Sequence, residues 1–305
     1  MITQPSPSER SRSSLIRRIT QRIPSVPTLP EVMTHIIQMV DNPSTTALEL
    51  AEVIGKDQAL AAKILKLANS AFYGFPQKIG TIHLAIVVLG FQSVKDLGLS
   101  AAVMEVFNDE DFQGPLDLHQ FWIHTIAVAA GCKVVGTSPK ITVSGEIFVA
   151  GLLHDIGKLV LCRHLNPEYQ EVLETAQRTR KNLTQVENQL LGFNHADVGG
   201  WIAEQWNLPR HQVNALAYHP YPWLTYREPN IGMIVNFANL LAYRAGYPAV
   251  DGLEFPIYHH KVGSYLNLKR KGGTEDVDWD FYIARLNDEM ERARGFLKLL
   301  RQNEG

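Results

Sequence analysis

The chain has 305 residues, 45% of them hydrophobic and 20% charged, enough for one large domain or two intimately packed ones with a full core. Its net charge of 29 − 31 = −2 excludes a global basic field that would recruit nucleic acid or anionic membrane. No apolar run approaches the roughly 20 residues needed to span a bilayer, and residues 1–14 are rich in serine and proline without the apolar core of a secretory signal. A cytoplasmic protein is expected. Cys132 and Cys162 both fall in apolar-periodic segments and read as reduced core thiols rather than a disulfide.

In chain order, Met1 to Ser14 reads as a mobile tail. Arg17, Arg18 and Arg22 follow as a solvated basic face, and Ile23 to Pro30 is an extended entry pinned by three prolines. Helical periodicity starts with Val32, Ile36, Ile37 and Val40 and stops at Asp41-Asn42-Pro43-Ser44. Two short helices, about Thr46 to Ile54 and Gln58 to Ser70, resemble a helix-turn-helix when taken alone. The second carries only Lys63 and Lys66 against the apolar stripe of Leu60, Ile64 and Leu67, where DNA reading draws on several Arg, Lys, Asn or Gln side chains. It is expected to be a packing helix. Thr81 caps the next apolar helix and Gly90 closes it. Asn108 to Pro115 is polar and acidic, the best internal boundary.

The second half opens with a helix at Phe121 to Ala130, in which His124 shares a face with Phe121, Ala127, Val128 and Gly131. A histidine so placed is by itself a satisfied core residue. The segment from Glu146 to Cys162 reads as one buried helix, with Phe148, Leu152, Ile156 and Leu159 recurring at helical spacing. Asp155 falls among them, and a carboxylate there needs a cationic partner to offset its lost hydration. His154 is adjacent, and an imidazole beside a carboxylate offers nitrogen and oxygen ligands to a divalent first-row metal, although most such pairs are simply hydrogen-bonded. Gly151, one turn earlier, leaves room for another helix or a ligand. Asn166 to Gln189 reads as two amphipathic helices. Asn194 caps a further one, placing His195 in its first turn, where the positive helix end favours a neutral ring. Another helix stops at His219-Pro220, and Asn230 to Tyr243 is strongly helical. Gly246 to Asp278 reads as irregular, with His259-His260 and Lys269-Arg270-Lys271 as surface features. A closing helix runs from about Trp279 to Leu300, with Phe281, Ile283, Leu286, Met290, Phe296 and Leu299 as its stripe.

The run from Phe148 to Lys158, with Gly151-Leu152-Leu153-His154-Asp155-Ile156-Gly157-Lys158 at its centre, resembles the central motif of the HD superfamily of metal-dependent phosphohydrolases. Leu67 to Gly74, Ile79 to Ile82 and Ala85 to Gly90 resemble the amino-terminal half of one branch, the HDOD (HD-related output) domains of bacterial signalling. The likeness covers roughly residues 22–245. It implies an all-α, multi-helix HD-like bundle with an N-terminal helical subdomain packed against it. The divisions are then a disordered tail (1–14), an N-terminal half (15–110), a half holding the site (111–245), and an irregular segment with a closing helix (246–305). It further implies that His124, His154, Asp155, His195 and His219 hold one or two divalent ions (Fe, Mn, Ni or Zn). His219 matches the first position of a His-His element, and Pro220 departs from the second. Asn239 stands where the HD pattern expects its final aspartate, an amide that brings no charge to a cation.

In the family such metals polarise a phosphoryl group and lower the pKa of an attacking water. Asp155 and Lys158 are the candidate catalytic groups. Lys158 either neutralises a phosphate oxygen or faces solvent. The resemblance implies a signalling output module that keeps its metal site with little or no turnover. The alternative is an active phosphohydrolase or phosphodiesterase, and a third, weaker reading is a nucleic-acid regulator. The Gly-Tyr-Pro element tied to cyclic-di-GMP hydrolysis is missing after His219, so that substrate is not assigned. The expected partners are signalling proteins and a phosphoester or nucleotide ligand, without membrane or nucleic acid.

Overall fold

The structure is a computed structural model that describes residues 7–75, 77–107, 112, 114–136, 145–224, 230–256, 258–272, 276–295 and 297. In chain order the N-terminal helices are α1 (Pro7–Arg22), α2 (Glu31–Val40), α3 (Ala47–Gly55), α4 (Gln58–Ala68), α5 (Ile82–Leu89) and α6 (Phe91–Phe107). The second half contributes α7 (Leu118–Gly136), α8 (Gly145–Leu153), α9 (Ile156–His164), α10 (Asn166–Thr179), α11 (Leu183–Leu191), α12 (His195–Gln205), α13 (Arg210–Tyr218) and α14 (Asn230–Arg244). Two more, α15 (His260–Leu266) and α16 (Trp279–Arg292), complete the set. Among the described residues there is no strand, only an isolated bridge between Arg270 and Val277. The all-α expectation holds.

Local chemistry sets the helix ends. Thr46 and Glu49 form a reciprocal capping box at α3, Asp57 caps α4, and Thr81 caps α5, which Gly90 closes at φ +85°. Asn194 caps α12 through the amides of Ala196 and Asp197. The helix-turn-helix likeness dissolves into packing: Leu60, Ile64 and Leu67 are buried, α4 lies against α6, and Lys63 is paired with Glu105 at 2.9 Å.

Helix α6 is buried along most of its length and packs on α2, α4 and α5 on one side and α8 on the other. Helix α7 runs through the second half against α8, α14 and α16. Its Lys133 reaches the Phe72 carbonyl at 2.9 Å and Glu289 of α16 at 2.9 Å, tying the two halves to the closing helix. One hydrophobic core extends from Ile19 and Ile23 to Leu286 and Met290. Cys132 and Cys162 are free and buried within it.

Several expectations need revision. Helix α1 begins at Pro7, inside the stretch expected to be a tail, with proline at its first position and Ile19 and Ile23 anchored in the core. Residues 1–6 lie outside the described ones, as does most of the hinge expected at Asn108 to Pro115. The segment 246–278 holds the short helix α15, capped by the His259 ring. Leu286 and Met290 of the closing stripe are buried, whereas Phe296 and Leu299 fall outside the described residues.

The revision that matters most concerns the expected helix from Glu146 to Cys162. It is two helices, α8 and α9, meeting at a turn formed by His154 and Asp155. The His154 ring takes the Gly151 carbonyl at 2.7 Å, the acceptor that an uninterrupted helix would offer to the Asp155 amide.

Candidate metal centre

Two glycines flank that turn, and each lets a neighbouring helix approach. A methyl group on Gly151 would lie 2.8 Å from the Cα of Ala129, so α7 packs backbone-close against α8. A methyl on Gly157 would collide with the His195 carbonyl, so the start of α12 rests on α9. These approaches carry His124 and His195 to the His154-Asp155 turn, and the end of α13 brings His219.

Asp155 is completely buried, as are His124 and His154; His195 and His219 are nearly so. Its Oδ2 faces His154 Nε2 at 3.3 Å and His124 Nε2 at 3.5 Å. Its Oδ1 faces His195 Nε2 at 3.3 Å and His219 Nε2 at 3.6 Å. The ligand atoms of His124, His154 and Asp155 lie within 4.8 Å of one another, and so do those of Asp155, His195 and His219. All five residues expected from the resemblance are therefore together.

The other ring nitrogens explain the orientation. His124 Nδ1 lies 2.7 Å from the Tyr247 carbonyl, His154 Nδ1 2.7 Å from the Gly151 carbonyl, and His219 Nδ1 2.9 Å from the Leu216 carbonyl. His195 Nδ1 lies 2.6 Å from Glu187 Oε2. These partners accept, so each Nδ1 must carry the proton, and a neutral ring then aims a bare Nε2 lone pair at the carboxylate. His195 Nε2 and His219 Nε2 are only 3.4 Å apart. Among the buried atoms without a hydrogen-bond partner are His124 Nε2, His154 Nε2 and Asp155 Oδ1. Lone pairs gathered around an anion repel unless a cation lies among them, so the donor set fits a divalent metal.

Burial lowers the pKa of His124, and burial with the neighbouring His154 and His195 holds that of His219 well below the usual imidazole range. Burial alone would raise the Asp155 carboxyl; the neighbouring His154 and Lys158, with His124, outweigh it and hold Asp155 well below the carboxylate range.

Lys158 does not face solvent. It is buried, its ammonium is 2.5 Å from Asp155 Oδ2, and it lines a cavity of about 40 Å³ with His195, His219, Asn236, Asn239, Tyr243 and Tyr221. Asn239, the departure from the HD pattern, thus lies on the cavity wall with its Oδ1 unpartnered.

Sequence reasoning missed Glu187. Completely buried, it accepts from the His195 ring, from the His195 amide at 3.2 Å and from the Tyr169 hydroxyl at 2.8 Å. It lies in line with Leu183 and Leu191 on the inward face of α11, the same misplaced-carboxylate signal that drew attention to Asp155. Asn236 was also missed; its amide holds the His219 carbonyl at 2.9 Å.

The fold and this centre define a class of all-helical proteins with histidines from separate helices gathered on one buried aspartate. A sequence profile of the HDOD domain matches residues 26–222, and the chain belongs to that family. An uncharacterised protein of Treponema pallidum (strain Nichols) is 26% identical over 208 residues, covering 68% of this chain and 40% of that protein. The chain thus spans less than half the length of that relative. An HDOD domain protein of unknown function from Geobacter sulfurreducens superposes with a TM-score of 0.75 at 23% identity, covering 96% of this chain and 99% of that one. A Shewanella amazonensis SB2B protein provisionally named a phosphohydrolase gives 0.71 at 23% identity, with 93% and 98% covered. One from Marinobacter aquaeolei VT8, provisionally named for signal transduction, gives 0.71 at 19%, with 96% and 67% covered. At these identities the likeness establishes the fold alone. No helix among the described residues is long and apolar enough to cross a membrane.

Proposed function

We propose that the chain is a signal-transduction module of HDOD type that holds a divalent first-row metal on Asp155 and its surrounding histidines, with little or no turnover. The observation that carries this is the set of four rings, each fixed through Nδ1 and each turning Nε2 onto one buried carboxylate. Bound there, a metal would act as a Lewis acid and lower the pKa of a coordinated water.

The chain's own groups are poorly provided for phosphoester chemistry. Among the described residues Lys158 is the only lysine or arginine on the cavity wall, and its charge is already committed to Asp155. About 40 Å³ admits one or two water-sized groups. These features favour a metal-stabilised scaffold that signalling proteins read. An active phosphohydrolase or phosphodiesterase is the second reading, favoured by the contact of that cavity with His195, His219 and Lys158.

Elemental analysis after metal loading tests the first element of the proposal: bound metal in the wild type, none in Asp155→Ala. A panel of phosphoesters and nucleotides separates the two readings. No turnover above the Asp155→Ala background is expected; metal-dependent turnover that the substitution abolishes would establish the enzyme instead.

A further inference from the structure

We propose that the chain binds one metal ion, on Asp155 Oδ1, His195 and His219, and that the Lys158 ammonium takes the place of a second ion at the half formed by Asp155 Oδ2, His124 and His154. The inference rests on the metal-binding reading above and specifies it.

The two oxygens of Asp155 are not equivalent. Oδ2 already has a cation, Lys158, at 2.5 Å, whereas Oδ1 has no hydrogen-bond partner. An ion on Oδ2 would share one oxygen with an ammonium in a water-free interior, where like charges repel far more strongly than in water. An ion on Oδ1 meets an uncompensated carboxylate oxygen and two bare ring nitrogens only 3.4 Å apart.

Access gives the same order. First-row ions take four or more ligands, and each half supplies three. His195 and His219 border the cavity, so water can complete a sphere there. His124 and His154 do not border it and are completely buried. Their Nε2 atoms nevertheless lack partners. This half is therefore a competent donor set that Lys158 holds shut, and removing the ammonium frees both the charge and the space for a second ion.

The experiment is metal stoichiometry of the full chain, loaded with Mn²⁺ or Zn²⁺ alone, desalted and measured by elemental mass spectrometry beside circular dichroism. Expected are one ion in the wild type, two in Lys158→Met and one in Lys158→Arg. His219→Ala should lose the ion and His124→Ala should keep it. Two ions in the wild type, one in folded Lys158→Met, or an ion that His124→Ala removes and His219→Ala retains would overturn the inference and leave the metal-binding reading standing. No ion in the wild type at saturating metal would defeat that reading and this one with it. Should Lys158→Met fail to fold, the two histidine variants still decide which half is occupied.

Discussion

At the scale of single residues, Glu187 is the least expected participant. Its carboxylate fixes the His195 tautomer and is itself held by Tyr169. Supporting partners of metal-bound histidines typically contribute 10–100-fold to metal affinity. Glu187→Gln should therefore weaken binding by about that factor, read by competition with a chromophoric chelator, while Tyr169→Phe should have a smaller effect in the same direction. A Glu187→Gln variant with wild-type affinity would remove Glu187 from the centre. Asp96 presents a different case. Both its oxygens are buried against the start of α8 with no hydrogen-bond partner among the described residues, and burial pushes its pKa up to about 7, with Lys95 and His211 opposing and Glu146 adding to the rise. The folded state then holds a proton that the unfolded chain releases near pH 4. Between about pH 4 and 7 the folded chain binds more protons, so this group makes stability fall as pH rises. Asp96→Asn should flatten that slope in denaturant titrations at pH 5 and 8 and leave metal content unchanged.

At the scale of elements, the α8–α9 break is the feature that periodicity concealed. Apolar residues keep their helical spacing through residues 154 and 155, so the sequence offers no signal for a turn; the cause is the His154 ring competing for a main-chain carbonyl. The ligand residues were legible because a buried carboxylate beside an imidazole violates the apolar pattern, and the family resemblance supplied the remaining histidines. Glu187 violated the same pattern and went unread, since no adjacent imidazole marked it. Gly157 was read only as part of a motif, whereas its want of a side chain is what lets α12 seat. Gly157→Ala should force α9 and α12 apart and cost about 2–3 kcal/mol, the scale of overpacking against an unyielding neighbour, with metal content lost in parallel. A variant of wild-type stability and stoichiometry would show that the approach of these helices is not needed.

At the scale of the whole molecule, the division into two halves was read from a polar stretch near residue 110, yet the hydrophobic core runs across both. Helix α6 presents apolar surface to α2 and α4 on one side and α8 on the other, so a chain cut between the halves exposes surface that neither piece can cover. A fragment of residues 111–245 should show no cooperative unfolding by calorimetry and no metal retention; a sharp transition in the fragment would make the halves independent. The helical class was readable from spacing alone, because nearly every segment carries a stripe at the helical period. How these stripes pair across more than 100 residues of separation was not, since pairing depends on close approaches such as Gly131 against Ala238 that no local pattern records.

Three of the four imidazole anchors are main-chain oxygens, those of Gly151, Leu216 and Tyr247. The acceptor at 216 or 247 does not depend on which side chain stands there, so an exchange that keeps the local packing leaves the rings anchored. The fourth anchor is a side chain and has no such insurance. Drift toward an empty centre would begin at residue 187, before any metal-facing histidine is touched.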